Sequence, residues 1–312
     1  MAGSRITAAI ALQLLSALSA VLRRRPSLLL LLAVVAGGWY GYEVLLARPS
    51  LVYLGEPKIQ NWLQPLTWNH TLRNRNFLVG YSELRGNPLW VSYRLTPPPA
   101  THRNLRRPGS FRTDWRNLSF VSHSDYRDSG YDRGHMAPNH AIAVLYGRNA
   151  QLETFLMTNV SPQKPDLNRR LWERLEEAEL DRFAHQQGMV WVLSGPIFDD
   201  RIERLASARR VEIPDAFYKI YAAPQTNQAP LLLAFVIPQQ VRGDEPLERY
   251  VTSVDKVEEL TGLDFFPQLP EDVARQIEAV SDINAWELEP ISQQPSRYSG
   301  HKRLESGSKR PH

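Results

Sequence analysis

Tyr126-Arg127-Asp128-Ser129-Gly130-Tyr131-Asp132-Arg133-Gly134-His135-Met136-Ala137-Pro138 is followed by Thr158-Asn159-Val160-Ser161-Pro162-Gln163, then by Asp166-Leu167-Asn168 and Trp172-Glu173-Arg174-Leu175-Glu176. These segments bring together an imidazole, neutral amide oxygens, carboxylates and arginines, the residue types that move protons, hold a hard cation and meet an anion. A neutral imidazole titrates near pH 6.5, so His135 can take a proton from water at neutral pH. Gly134 lets the backbone turn tightly just before it. An Asn side chain offers a neutral, hard carbonyl oxygen, and Mg²⁺ tolerates few protein ligands because it sheds water reluctantly. Taken singly, these residues mean little. A His after a Gly is more often a hydrogen-bonded loop residue, an Asn near a helix start is usually a cap, and a Glu in an acidic helical segment is usually a solvated face.

Their order and spacing carry more. The set resembles the DNA/RNA non-specific endonucleases of the ββα-metal (His-Me finger) type, the group containing secreted bacterial nucleases and mitochondrial endonuclease G. The signature is Asp-Arg-Gly-His, then Asn-x-x-Pro-Gln, then Leu-Asn…Trp…Leu-Glu. Every position is matched, with Asn159 and Asn168 nine residues apart. The likeness continues in Arg75-Asn76-Phe77, Asn87-Pro88-Leu89-Trp90-Val91, Ser194-Gly195-Pro196-Ile197-Phe198, Ile213-Pro214-Asp215-Ala216-Phe217-Tyr218-Lys219 and Thr261-Gly262-Leu263-Asp264-Phe265-Phe266-Pro267, so it covers roughly residues 75–270.

The resemblance implies an α+β chain with the ββα-metal nuclease fold, a central antiparallel sheet flanked by helices. It implies cleavage of DNA and RNA, with Mg²⁺ as cofactor and Mn²⁺ as the alternative, and it leaves a homodimer open. His135 is then the general base and Asn168 the direct metal ligand. Asn159 supports site and substrate, and Glu176 acts on water around the metal. Arg133 is a natural clamp on a phosphate oxygen. A further upstream arginine that aids the transition state is implied, and Arg107, Arg112 and Arg127 all qualify. Glu176 lies eight residues beyond Asn168, about 12 Å along an α-helical axis, so in that geometry both cannot ligate one ion directly. Two other functions compete: a non-catalytic nucleic-acid-binding protein of the same fold, and a phosphodiesterase acting on another substrate such as a membrane lipid.

Composition narrows the chemistry. The chain has 312 residues, 43% of them hydrophobic, enough for one sizeable core. It has no cysteine, which excludes disulfides, thiolate metal sites and a cysteine nucleophile. Hard oxygen ligands favour Mg, Mn or Ca. Of the formal charge of +4, residues 1–50 carry +4 and residues 301–312 carry +3, which leaves the body between them at −3. Positive charge in the body is therefore local, and its densest run is Arg103, Arg106, Arg107, Arg112 and Arg116, opposed only by Asp114. This run is read as an arm for phosphate capture, the bland alternative being a solvated loop.

Three domains are expected. Residues 1–50 hold apolar runs at 6–22 and 28–47 around Arg23-Arg24-Arg25-Pro26, and read as a signal anchor or targeting segment. The 28–47 run would contact the membrane, with the body exported to the periplasm or outside, or secreted after cleavage. A mitochondrial presequence is the alternative, because no acidic residue precedes Glu43. Residues 51–285 form the nuclease domain. Residues 286–312 read as a polar, basic, disordered tail. Within the body, strands are expected at 77–81, 89–95, 189–193, 216–223 and 231–237. Helices are expected at 150–159 leading into a strand, from Asp166 as N-cap to about His185, and at 247–261 and 270–280.

Overall fold

The computed structural model describes residues 26–101, 105–292 and 294, so Arg103, the 6–22 run and most of the expected tail lie outside the described residues. The chain divides into two units between Ser50 and Leu51. In the first, α1 (Pro26–Tyr42) continues through a π turn at Glu43–Ala47. The helix over Leu29–Leu51 has 23 residues and is long and apolar enough to cross a membrane. Leu30, Val34 and Trp39 are exposed on it.

The body is built on a seven-stranded antiparallel sheet. Its strands are β1 (His70–Arg73), β2 (Phe77–Ser82), β3 (Asn87–Leu95), β6 (Val190–Ile197), β7 (Ala216–Gln225), β8 (Gln228–Pro238) and β9 (Val251–Thr252), in the order β9-β8-β7-β6-β3-β2-β1. Between β3 and β6 the chain leaves the sheet to build the site: β4 (Asp132–His135), α2 (Asn139–Thr154), β5 (Val160–Gln163), and α3, a continuous helical run over residues 165–187. After β9 come α4 (Val254–Thr261), α5 (Glu271–Ile277) and α6 (Glu289–Ser292).

Strand periodicity makes the layers, because alternate side chains point to opposite faces. Phe77, Val79, Tyr81, Val91, Tyr93, Phe217, Tyr221, Leu233 and Phe235 face one core, where Leu171, Trp172, Leu175 and Phe183 of α3 cover them. Leu78, Trp90, Leu193, Tyr218, Ile220 and Leu232 face the other, with Val254 and Val257 of α4 and Phe265 and Phe266. Both faces of the sheet are thus buried, which accounts for strands of nearly unbroken apolar sequence. The turn before β3 needs a glycine: Gly86 has φ +62, and a Cβ there would collide with the Arg210 carbonyl.

Four local expectations change. The helix read at 150–159 begins earlier, at Asn139 after Pro138, and it breaks at Gly147, whose φ of 79 lies in the left-handed region. Asp166 is already helical and makes no capping bond; Pro165 opens α3, where its missing N–H has no role to lose. The 247–261 segment is not one helix. Val251 and Thr252 pair with Phe235 and Ala234 at the sheet edge, and Ser253 restarts the helix by accepting from Lys256 N at 3.2 Å. Finally, Trp286, Leu288 and Ile291 pack into the α3 core, so the packed body runs past residue 285.

Candidate active site

β4 and β5 form a separate two-stranded ribbon, with Asp132 opposite Gln163, Gly134 opposite Ser161 and His135 opposite Val160. At Gly134 a Cβ would collide with the buried Gln163 side chain, so any larger residue would have to displace that amide from between the two strands. His135 ends the strand and is 7% exposed. Its ring joins Phe111 and Phe155 in a three-ring cluster, with centroids 5.0 and 4.9 Å away. Its backbone carbonyl accepts from Trp172 Nε1 at 3.3 Å, which ties the strand end to α3. Burial, reinforced by the Arg107 charge, holds the imidazole pKa down to about 3, so the ring is neutral at pH 7.

His135, Arg133, Arg107, Asn168 and Glu176 all line one cavity of about 1030 Å³, together with Asp132, Asn139, Gln151, Arg169 and Glu173. Asn168 sits where a π turn (Leu167–Leu171) opens α3; such turns widen the helix locally and recur at functional sites. Its Nδ2 donates to Asp132 Oδ2 at 3.0 Å. That bond fixes the amide's orientation and leaves Oδ1 as its remaining acceptor. Asp132 is itself clamped by Arg169, through bonds of 2.7 and 2.6 Å. Arg133 donates twice to the His123 carbonyl, at 3.2 and 2.7 Å, and lies over the Tyr126 ring.

Glu176 is half-buried in the α3 wall. Desolvation raises its pKa to about 8; Lys219 and Arg107 pull against that shift, while Glu179 and Glu173 add to it. Behind it, Glu179 pairs with Lys219 at 2.6 Å, both fully buried, and accepts from Tyr93 and Tyr221 hydroxyls. Lys219 lies 4.9 Å from the Trp172 ring centroid, so this polar knot backs the wall that Trp172 shares with His135.

The other expected residues are placed differently. Asn159 is fully buried behind the cavity. Its Oδ1 accepts from Ala137 N at 2.8 Å, and its Nδ2 donates to the Ala137 and Thr154 carbonyls at 3.0 Å each. It therefore pins the chain just after His135 without lining the cavity. Of the arginine run, Arg107 reaches the cavity and lies over Phe155. Arg112 donates to the Leu152 carbonyl at 3.1 Å, and Arg116 is bound to Asp114, the Arg73 carbonyl and Asn74. Arg127 is exposed and does not line the cavity. The structure thus separates the three upstream candidates and gives Arg107 the place at the site. Asp132 and Gln151 carry no role in the sequence reading. A motif quotes Asp132, yet only the fold shows that it aims Asn168.

A family profile for DNA/RNA non-specific endonucleases matches residues 64–272, two thirds of the chain and the whole of this site. The chain belongs to the DNA/RNA non-specific endonuclease family. It is similar to the mitochondrial nuclease EXOG of Xenopus laevis, 29% identical over 72% of this chain and 65% of that protein. It is similar also to human mitochondrial endonuclease G, 29% identical over 62% of this chain and 68% of that protein. The chain thus spans about two thirds of the length of these relatives. A chain of the crystal structure of the EndoG/EndoGI complex superposes with a TM-score of 0.61 at 26% identity, covering 71% of this chain and 91% of that one. The family's Asp-Arg-Gly-His run is β4 itself, and its second asparagine is the one Asp132 orients.

Proposed function

We propose that the chain is a metal-dependent, sugar-non-specific endonuclease that hydrolyses phosphodiester bonds in DNA and RNA. The observation that carries this reading is the convergence of His135, Arg133, Arg107, Asn168 and Glu176 on one cavity in a chain of this family. His135, neutral at pH 7, accepts the proton of the attacking water. An anionic phosphate entering the cavity opposes the effects that depress the imidazole's pKa, so proton affinity rises when substrate is bound. Arg133 and Arg107 bring positive charge to the phosphate oxygens.

The donor set fits a hard divalent cation. The Asn168 Oδ1 is oriented by Asp132, and Glu176 holds a carboxyl that desolvation drives toward neutrality unless positive charge stands near it. Asn168 would hold the ion directly and Glu176 through water; Mg²⁺ suits these ligands, with Mn²⁺ as the alternative. When bound, the ion supplies charge relief to the phosphate and the leaving oxygen. Asn159 acts as a scaffold for the strand end that carries His135.

Two placements in the cell suit this reading. One is a membrane anchor through the 28–47 helix with the body exported, as the span of Leu29–Leu51 allows. The other is mitochondrial, as for the animal relatives. A digestion assay on the full chain tests the function. Plasmid DNA and RNA should both be cut in Mg²⁺, with EDTA abolishing cleavage. Binding of nucleic acid without cleavage in any metal, or hydrolysis confined to phospholipid, would overturn it.

A further inference from the structure

On the sheet face away from the cavity, three carboxylates meet. Asp255 lies in the first turn of α4, Glu258 one turn further, and Glu278 at the C-terminal end of α5. Their carboxylate oxygens lie within 4.8 Å of one another. Glu278 is 7% exposed, and its Oε1 makes no hydrogen bond. The backbones are already joined, Asp255 N donating to the Glu278 carbonyl at 3.1 Å. One oxygen of Glu258 accepts from Phe265 N at 2.6 Å. Among the described residues, neighbouring cations are engaged elsewhere: Lys256 with Glu259 at 2.8 Å, and Arg275 with Glu271 at 3.5 Å. The charge of Asp264 also acts on Glu258 and Glu278, and Lys58 acts on Asp264.

Like charges this close, one of them buried without a donor, are costly unless something neutralises them. We propose that Asp255, Glu258 and Glu278 form a calcium site that ties α4 to the end of α5, distinct from the catalytic cavity. Three anionic, hard oxygens suit Ca²⁺, whose 2.3–2.6 Å bonds put opposite ligands roughly 5 Å apart. Mg²⁺ demands near-ideal octahedral geometry and keeps most of its waters, whereas Ca²⁺ accepts irregular, carboxylate-rich sites, so a cluster of three carboxylates favours the larger cation. The ion would clip together two helices that otherwise share few bonds, and its effect would be on stability.

Thermal unfolding and equilibrium dialysis of the full chain in detergent, with CaCl₂ as the only added divalent ion, test this. Calcium at about a hundred times its dissociation constant should raise Tm by roughly 5 °C. Asn168→Ala, which alters only the cavity, should keep that shift. Glu278→Gln should lose it, bind one calcium fewer, and cleave plasmid in Mg²⁺ within about twofold of the parent. Before calcium is added, Glu278→Gln should also melt no lower than the parent, because it relieves repulsion. Asp255→Asn, at an exposed position, should reproduce the loss of the shift even if Glu278→Gln does not fold. A shift that survives in Asp255→Asn, that disappears in Asn168→Ala, or that is absent from the parent would overturn the site.

Discussion

The wall formed by β4, β5 and α3 and the segment from 105 to 127 border the same cavity, yet they hold their polar groups in opposite ways. On the wall, three residues are held in place by a hydrogen-bond partner. Asp132 orients Asn168, the His123 carbonyl holds Arg133, and Trp172 anchors the carbonyl of His135. In the segment, two arginines are drawn to other partners, Arg112 to the Leu152 carbonyl and Arg116 to Asp114. Of its arginines, only Arg107 lines the cavity. Preorganised groups in the cavity cost no reorganisation when charge develops, whereas cations outside it contribute mainly long-range attraction. The wall is therefore expected to govern rate and the segment to govern capture.

The largest effect should come from the wall. His135→Ala removes the base and should lower the single-turnover cleavage rate by about two to four orders of magnitude, with DNA affinity retained. A loss of affinity equal to the loss of rate would mean that His135 holds substrate and is not the base.

Next comes the scaffold behind the wall. Asn159→Ala strips three hydrogen bonds and strands buried donors and acceptors on Ala137 and Thr154. Stability should fall by about 3 kcal/mol in denaturant unfolding, and activity should fall with it through a displaced His135. Unchanged stability together with lost cleavage would instead place Asn159 at the substrate.

The segment should respond more weakly. Arg107→Ala should flatten the salt dependence of DNA binding by about one unit of log–log slope. Arg116→Ala should leave the slope alone and lower stability, because its guanidinium serves Asp114 and Asn74. Equal slopes for both variants would mean that lining the cavity does not set Arg107 apart from the rest of the segment.

The smallest expected effect concerns pH. His135 is depressed to about 3 in the free protein, and a base works only when unprotonated. The acid limb of kcat/KM should therefore lie well below 6.5, with activity lost only as pH falls toward the folded-state value. The limb of kcat, which reports the substrate complex, should lie higher. An acid limb of kcat/KM at 6.5 or above would mean that the imidazole is solvated in solution.

The wall was largely legible because its information is local and ordered: Gly134 and His135 stand on one strand, and Asn168 and Glu176 on the helix that follows. The sheet was legible too, since β2, β3, β7 and β8 carry apolar, β-branched and aromatic runs between clear turns. Tertiary partners were not. Nothing in the arginine run tells Arg107 from Arg112 until Leu152 offers one of them its carbonyl. The Lys219–Glu179 pair joins residues 40 apart in sequence, and the edge pairing of Val251 and Thr252 overrides a helical pattern that only the cap at Ser253 interrupts. Trp286 and Ile291 look like part of a polar tail until the α3 core supplies the surface they cover.

The division of labour between His135 and Asn168 is most directly tested by a magnesium titration of single-turnover cleavage in both alanine variants. Asn168→Ala should lose metal affinity and recover part of its rate as Mg²⁺ rises into the tens of millimolar (an order-of-magnitude range, since affinity sets occupancy). His135→Ala should stay slow at every concentration, because no amount of metal replaces the base. Rescue of both variants, or full activity in either without added metal, would contradict the assignment of base and ligand.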